Sequence, residues 1–153
     1  MLFRSGLYAA LLLQKSDLIK RGVDGVLAGG GSLRARIEQL FRVRVDVIWE
    51  QRRFFRLFFH ETMNPLGDPR AGFTPEIRVR YEEFLGTLEN LYAEGISNGE
   101  FRDVPPRLLT LAFEGILHGY IVELNRSEAP ERDPAEEDHL LELFFEGALK
   151  PKE

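Results

Sequence analysis

The stretch that most restricts this fold is Gly99–Ile121, GEFRDVPPRLLTLAFEGILHGYI. A helix stop, a turn and a double proline lead into a helix that is apolar on nearly every side. Such a helix needs cover from two directions, its own domain and something else. Ala112, Gly115 and Gly119 place small residues along one face, where a second helix backbone could approach closely. The pattern therefore argues for a helical protein that pairs with a copy of itself.

At 153 residues one domain with a sizeable core is expected. The chain contains no cysteine, which excludes disulfides, thiolate metal sites and a cysteine nucleophile, and it fits a reducing, cytoplasmic setting. No apolar run approaches the roughly 20 residues that span a bilayer, so no membrane partner is expected. Arg4 ahead of Leu7–Leu13 imitates a signal peptide, but the run is of minimal length. Gln14–Asp17 offers no small-x-small cleavage site either.

Charge is uneven. Residues 1–60 hold 11 Lys/Arg against 5 Asp/Glu, and residues 61–153 hold 9 against 20, for a net charge of −5. A basic front could face nucleic acid. The plainer reading, preferred here, makes the arginines of residues 34–56 a solvated helix face.

Helical periodicity covers the chain. A first amphipathic helix is expected from Ser16 to about Ala28, ended by Gly29-Gly30-Gly31, with Ser32 capping the next. From Leu33 to about Thr62 one apolar stripe continues, bent near Glu50-Gln51. Val43, Val45 and Val47 alternate with charged residues at strand spacing, but no turn bounds them. Asn64 to Phe73 is a loop, and Thr74-Pro75 starts a helix running to about Ser97. Asn98-Gly99 stops it, and Phe101 is expected to pin the turn into the core. Pro105-Pro106 opens the buried helix, which ends near Asn125. Asp133, Pro134 and Glu136 supply the start of a last helix, with Leu140, Leu141, Phe144, Phe145, Ala148 and Leu149 inward.

Gly99-Glu100-Phe101-Arg102, then Pro105-Pro106, then Ala112–Tyr120 (AFEGILHGY), together resemble the regulatory domain of a TetR-type transcriptional repressor. The resemblance covers about Lys15 to Lys150. It implies an all-α domain of five to six helices at residues 16–150, whose last two helices form a four-helix bundle with those of a second copy. The dimer seam so implied comprises Leu109, Ala112, Gly115, Ile116, His118, Gly119, Tyr120, Leu140, Leu141, Phe144 and Phe145. Family members begin with a three-helix DNA-binding unit. Here residues 1–15 resemble only its end: Gly6, Leu7 and Tyr8 match the close of the recognition helix, and Lys15 the start of the connecting helix. Ala9–Gln14 departs from the family's aromatic and Ser-Lys pair at this point. The chain is thus expected to be a fragment, or to carry a shifted start or frame over its first 14 residues. DNA binding is expected of an intact form only.

The resemblance also places Phe41, Val45, Trp49, Phe55, Phe59, Tyr81, Phe84, Leu88, Tyr92 and Phe113 around a central cavity for a small apolar or aromatic ligand. Ordinary core packing is the competing reading for each. Trp49 and the tyrosines stand out because each joins a polar handle to an apolar body. Glu114 and His118, four apart, read either as a ligand-orienting pair or a charge pair across the dimer seam or, in the preferred reading, as a satisfied polar pair within the interface, where a histidine could make dimer stability depend on pH near its titration. His60-Glu61-Thr62-Met63-Asn64 lacks the second histidine of a zinc motif. Gly29-Gly30-Gly31-Ser32 lacks the Gly-Lys-Ser/Thr ending of a phosphate loop. Ser5, Ser16, Ser32, Ser97 and Ser127 all fall at caps or turns. Neither metal nor cofactor is expected, nor an enzyme. A ligand-free helical interaction module remains the main alternative; a cavity below roughly 300 Å³ would favour it. A small helical enzyme would instead show a polar cavity with at least two convergent titratable groups.

Overall fold

Apolar residues at helical spacing, cut by glycine, proline and capping residues, give six helices among the described residues. In the computed structural model, which describes residues 6–63, 66–126 and 131–151, these are α1 (Gly6–Ala28), α2 (Leu33–Glu50), α3 (Arg52–Thr62), α4 (Pro75–Ser97), α5 (Pro106–Arg126) and α6 (Pro134–Ala148). The fold is all-α, and among the described residues the one β-type pairing is an isolated bridge between Phe101 and Leu149. Arg4, Ser5, Asn64 and Ser127 lie outside the described residues.

The expected stops and caps form. Gly31 takes φ of +116°, a left-handed conformation that disfavours a side chain. The Ser32 hydroxyl then accepts from the Ala35 N–H at 3.1 Å, and Thr74 caps α4 in the same way through Ile77 N–H at 3.3 Å. Asp133 caps α6 by accepting from Ala135 N–H at 2.9 Å. The break between α2 and α3 falls at Gln51.

The first helix is the main boundary that differs from expectation. α1 begins at Gly6, ten residues before Ser16, and runs unbroken through residues 15 and 16. No breaker separates these segments, and the Ala9–Leu13 run consists of strong helix formers. Tyr8 and Leu12 extend the buried stripe of Val23 and Val26, and the Tyr8 ring stacks on Phe54 at 5.5 Å.

The alternating segment 42–47 is helical, and its charged residues have partners from distant sequence. Arg42 pairs with Asp138, Arg44 with Glu114, and Asp46 with Arg132 at 2.5 Å. Glu137 of α6 is fully buried and accepts from Arg132 at 2.7 and 2.8 Å and from the Tyr120 hydroxyl at 3.1 Å. These bonds fasten α6 to α5 and α2.

Between α4 and α5, Phe101 does pin the turn. It is 1% exposed and its ring lies against Gly95, where an added Cβ would come within 2.0 Å of it. Glu100 N–H donates to Gly95 carbonyl oxygen at 2.8 Å, and Arg102 N–H reaches Ala148 at 2.9 Å, tying the turn to the end of α6.

α5 itself is two-faced. Leu109, Phe113, Glu114, Leu117, Tyr120, Ile121 and Leu124 point into the chain's own core. Leu108 and Leu111 stay about half exposed, and apart from the chain neighbours and the helix's own adjoining backbone no atom of the described residues lies within 4 Å of a Cβ placed on Gly115 or Gly119.

Candidate ligand cavity

A cavity of about 250 Å³ opens between α1 and α4. Leu12, Ile19, Val23 and Leu27 of α1 form one wall, at the spacing of a single helix face, and Ile77, Tyr81 and Phe84 of α4 face them. Ile48, Phe55, Phe59, Phe73 and Ile121 complete an apolar interior, while Ser16, Lys20, Asp24, Arg44, Arg70, Arg80, Glu83, Thr87 and His118 add polar groups. Mostly apolar walls with a few polar groups are the usual makeup of a small-molecule site.

Behind Tyr81 lies a buried polar network. Arg44 donates to both Glu114 oxygens, at 2.6 and 2.8 Å, and its guanidinium stacks 4.4 Å from the Phe84 ring centre. The Tyr81 hydroxyl donates to Glu114 Oε1 at 2.8 Å and lies 3.4 Å from His118 Nε2. Burial by itself would raise the Glu114 carboxyl, yet Arg44, His118 and the Tyr81 hydroxyl hold it below its ordinary value. His118 is pushed down to about 4, first by burial and then by the nearby Arg44 and Arg70 cations, with Glu114 opposing. Tyr81 is pushed upward by burial and by Glu114.

Among the titratable side chains along the cavity, Tyr81 and His118 come within 3.4 Å of each other. Proton transfer near neutrality calls for groups that titrate there, and these two are displaced in opposite directions away from it. Among the described residues no group of three or more His, Asp or Glu could hold a metal ion.

Of the ten residues the sequence placed around a cavity, Phe55, Phe59, Tyr81 and Phe84 line it. Phe41, Val45, Leu88, Tyr92 and Phe113 do not; all are 1% exposed or less and belong to the close-packed core. There the Phe113 ring meets Phe41 at 6.0 Å, Tyr92 at 6.5 Å and Phe144 at 5.5 Å. Trp49 also lies away from the cavity, half-buried under the Arg52 guanidinium.

The residues assigned to a seam divide too. Leu109, Tyr120, Leu141, Phe144 and Phe145 are enclosed by the chain itself, whereas Ala112, Gly115, Ile116, Gly119 and Leu140 keep open surface. His118 turns toward the cavity, so the Glu114–His118 pair is internal to one chain, and its histidine is displaced from the range foreseen for it.

Gly6 and Leu7 are exposed, while Tyr8 packs on Phe54 and Lys15 donates to Gln51 at 2.6 Å. Arg44, read from sequence as solvated, is 7% exposed.

Sequence reasoning missed the α1 wall and the arginines. The α1 wall had a signal, the run Leu12, Ser16, Ile19, Val23 at helical intervals. The Arg44–Glu114 pair, 70 residues apart, had none.

Residues 30–121 match the family described as Tetracyclin repressor-like, C-terminal domain. A solved transcriptional regulator of the TetR/AcrR family from Thermobifida fusca YX-ER1 is similar at 25% identity and a TM-score of 0.63, over 92% of this chain and 72% of that one. The ketosteroid transcriptional regulator of Mycobacterium tuberculosis shares the fold at 17% identity and a TM-score of 0.69, over 88% of this chain and 67% of that one. No curated protein matches the sequence.

Proposed function

Since the chain belongs to the tetracyclin repressor-like C-terminal domain family, we propose that it is the effector-sensing and dimerisation part of a TetR-type transcriptional regulator. The observation that carries this reading is the apolar cavity between α1 and α4. In such a regulator α1 leads to the DNA-reading head, and the residues at its start, Gly6, Leu7, Tyr8 and Lys15, form the end of that head. A small apolar molecule between α1 and α4 then changes where α1 lies, and with it the spacing of two heads. The change is allosteric only if the ligand binds the two placements of α1 unequally.

That movement works against the packing of α1 along α2, where Val43 lies against Gly22, and against polar ties to α4 and Gln51. Arg80 of α4 reaches α1 through Asp17 at 2.5 Å and Ser16 at 3.3 Å, and Lys15 of α1 reaches Gln51. The second copy would pack on the open stripe of α5 and α6, where Leu108, Leu111 and Leu143 stand 50–65% exposed beside Gly115 and Gly119.

One observation favours the ligand-free interaction module. The cavity, at about 250 Å³, is smaller than the roughly 300 Å³ at the low end of ligand pockets. Titrating toluene into the labelled protein separates the two readings by NMR. Binding shifts the amides around Ile19, Phe59, Tyr81 and Phe84, and Ile19→Trp, which fills the space, abolishes the shifts. A spectrum unmoved by saturating toluene leaves the module.

A further inference from the structure

We propose that the ligand of this cavity is an apolar carboxylate, and that its ionised end takes Arg80 away from Asp17. The inference rests on the ligand-binding reading above and adds the ligand's chemical class and the contact it breaks.

The cavity wall is more basic than the chain. Lys20, Arg44, Arg70 and Arg80 line it against Asp24 and Glu83, although the whole chain carries a net charge of −5. These cations differ in how firmly they are held. Arg44 is committed, because both it and Glu114 are buried and share two hydrogen bonds. Separating such a pair would leave an uncompensated charge inside the protein.

Arg80 is held differently. Its partner Asp17 has a side chain 47% exposed, and Arg80 itself is 28% exposed. Exposed ion pairs gain little in water and exchange partners readily. Arg80 and Ser16 line the cavity whereas Asp17 does not, so the acid holds the guanidinium from outside. Both bonds that Arg80 makes run through Nη1. A guanidinium carries five donors in a planar fork that suits a carboxylate.

An apolar acid with its tail among Ile19, Phe55, Phe59 and Phe84 can therefore offer Arg80 a second carboxylate from the cavity side. Asp17 belongs to α1 and Arg80 to α4, so the exchange removes a tie between the two helices. In this scheme the tail seats the ligand, and the charged end both adds affinity through Arg80 and frees α1 from α4.

Isothermal titration of the full chain with octanoate, 1-octanol and octylamine, which share a tail and differ at the head, tests the inference. Octanoate is expected to bind at least tenfold more tightly than octanol, and octylamine no better than octanol. Arg80→Gln should bring octanoate to the level of octanol while leaving octanol unchanged. Asp17→Asn, which removes the competing acid, should tighten octanoate severalfold and leave octanol as it was. Circular dichroism confirms that both variants remain helical.

Equal binding of all three probes, or an octanoate preference that survives Arg80→Gln, overturns the inference and leaves the apolar cavity standing. A preference for octylamine also overturns it and points to Asp24 and Glu83. If no probe binds and toluene also fails, the ligand-binding reading falls with it.

Discussion

His118 shows how far one side chain's chemistry depends on what folds around it. Its neighbours are Glu114 on its own helix, Tyr81 of α4, Arg44 of α2, and Asp68 and Arg70 of the loop between α3 and α4. Burial and the two arginines outweigh the two acids, and the ring titrates at about 4 in the folded chain. An unfolded histidine titrates near 6.5, so the unfolded state binds the extra proton first as pH falls. The stability lent by neutral His118 is complete above about pH 6.5 and drains away toward pH 4. Urea unfolding at pH 7 and pH 4.5 should differ by up to about 2.5 kcal/mol from this group, and His118→Gln should remove that part of the slope. A slope unchanged by His118→Gln would mean that the ring is not enclosed as described. Glu114 acts in the same direction at lower pH, because its depressed carboxyl stabilises the fold until it is protonated.

The turn joining α4 to α5 depends on one glycine and one phenylalanine. Gly95 has no side chain, which lets the Phe101 ring lie flush against α4 beneath the Gly99 turn, where φ is +82°. From there the backbone of 100–102 reaches the end of α6, so one ring position sets the relation of three helices. Gly95→Ala forces a methyl group into the ring and should cost about 1–3 kcal/mol, as overpacking does. Thermal unfolding of Gly95→Ala, Phe101→Leu and the double variant checks this. The double variant should lose less than the two single losses combined, because the smaller leucine makes room for the methyl group. Strict additivity would show that the two residues do not meet.

The basic front and acidic back of the chain close on each other when it folds. Arg42 meets Asp138 and Glu137, Arg44 meets Glu114, and Arg132 returns to Asp46. Part of the charge asymmetry is therefore spent inside the molecule and does not project as a basic surface. Outward on α5 runs an apolar and small stripe of Leu108, Leu111, Ala112, Gly115 and Gly119, while α6 exposes Leu143 among charged residues such as Glu142 and Glu146. If two copies bury it against each other, the melting temperature rises with protein concentration. Gly115→Arg, whose side chain has open space in one chain and none between two, should sediment as a monomer and lose that dependence. A variant that sediments with the parent as a dimer would place the seam elsewhere.

Most of the fold was legible because helix ends are local. Ser32, Thr74 and Asp133 act on backbone groups two or three residues away, Gly31 and Gly99 act at their own φ, and Phe101 acts across one turn. The two-sided character of α5 was equally legible, since apolar residues all round a helix demand cover all round. The cavity was only partly so. Phe59 and Phe113 look alike in the sequence, yet one lines the space and the other fills the core. The hydrophobic effect has no direction, so burial alone does not say which ring abuts a void. By itself, then, the sequence determined an all-α fold of five to six helices, the caps at Ser32, Thr74 and Asp133, and a fifth helix that is apolar on both its inner and its outer side. Only the tertiary structure decided that α1 and α4 stand apart around a cavity, and that Arg44, Glu114, Tyr81 and His118 meet behind it, because those partners come from helices far apart in the chain.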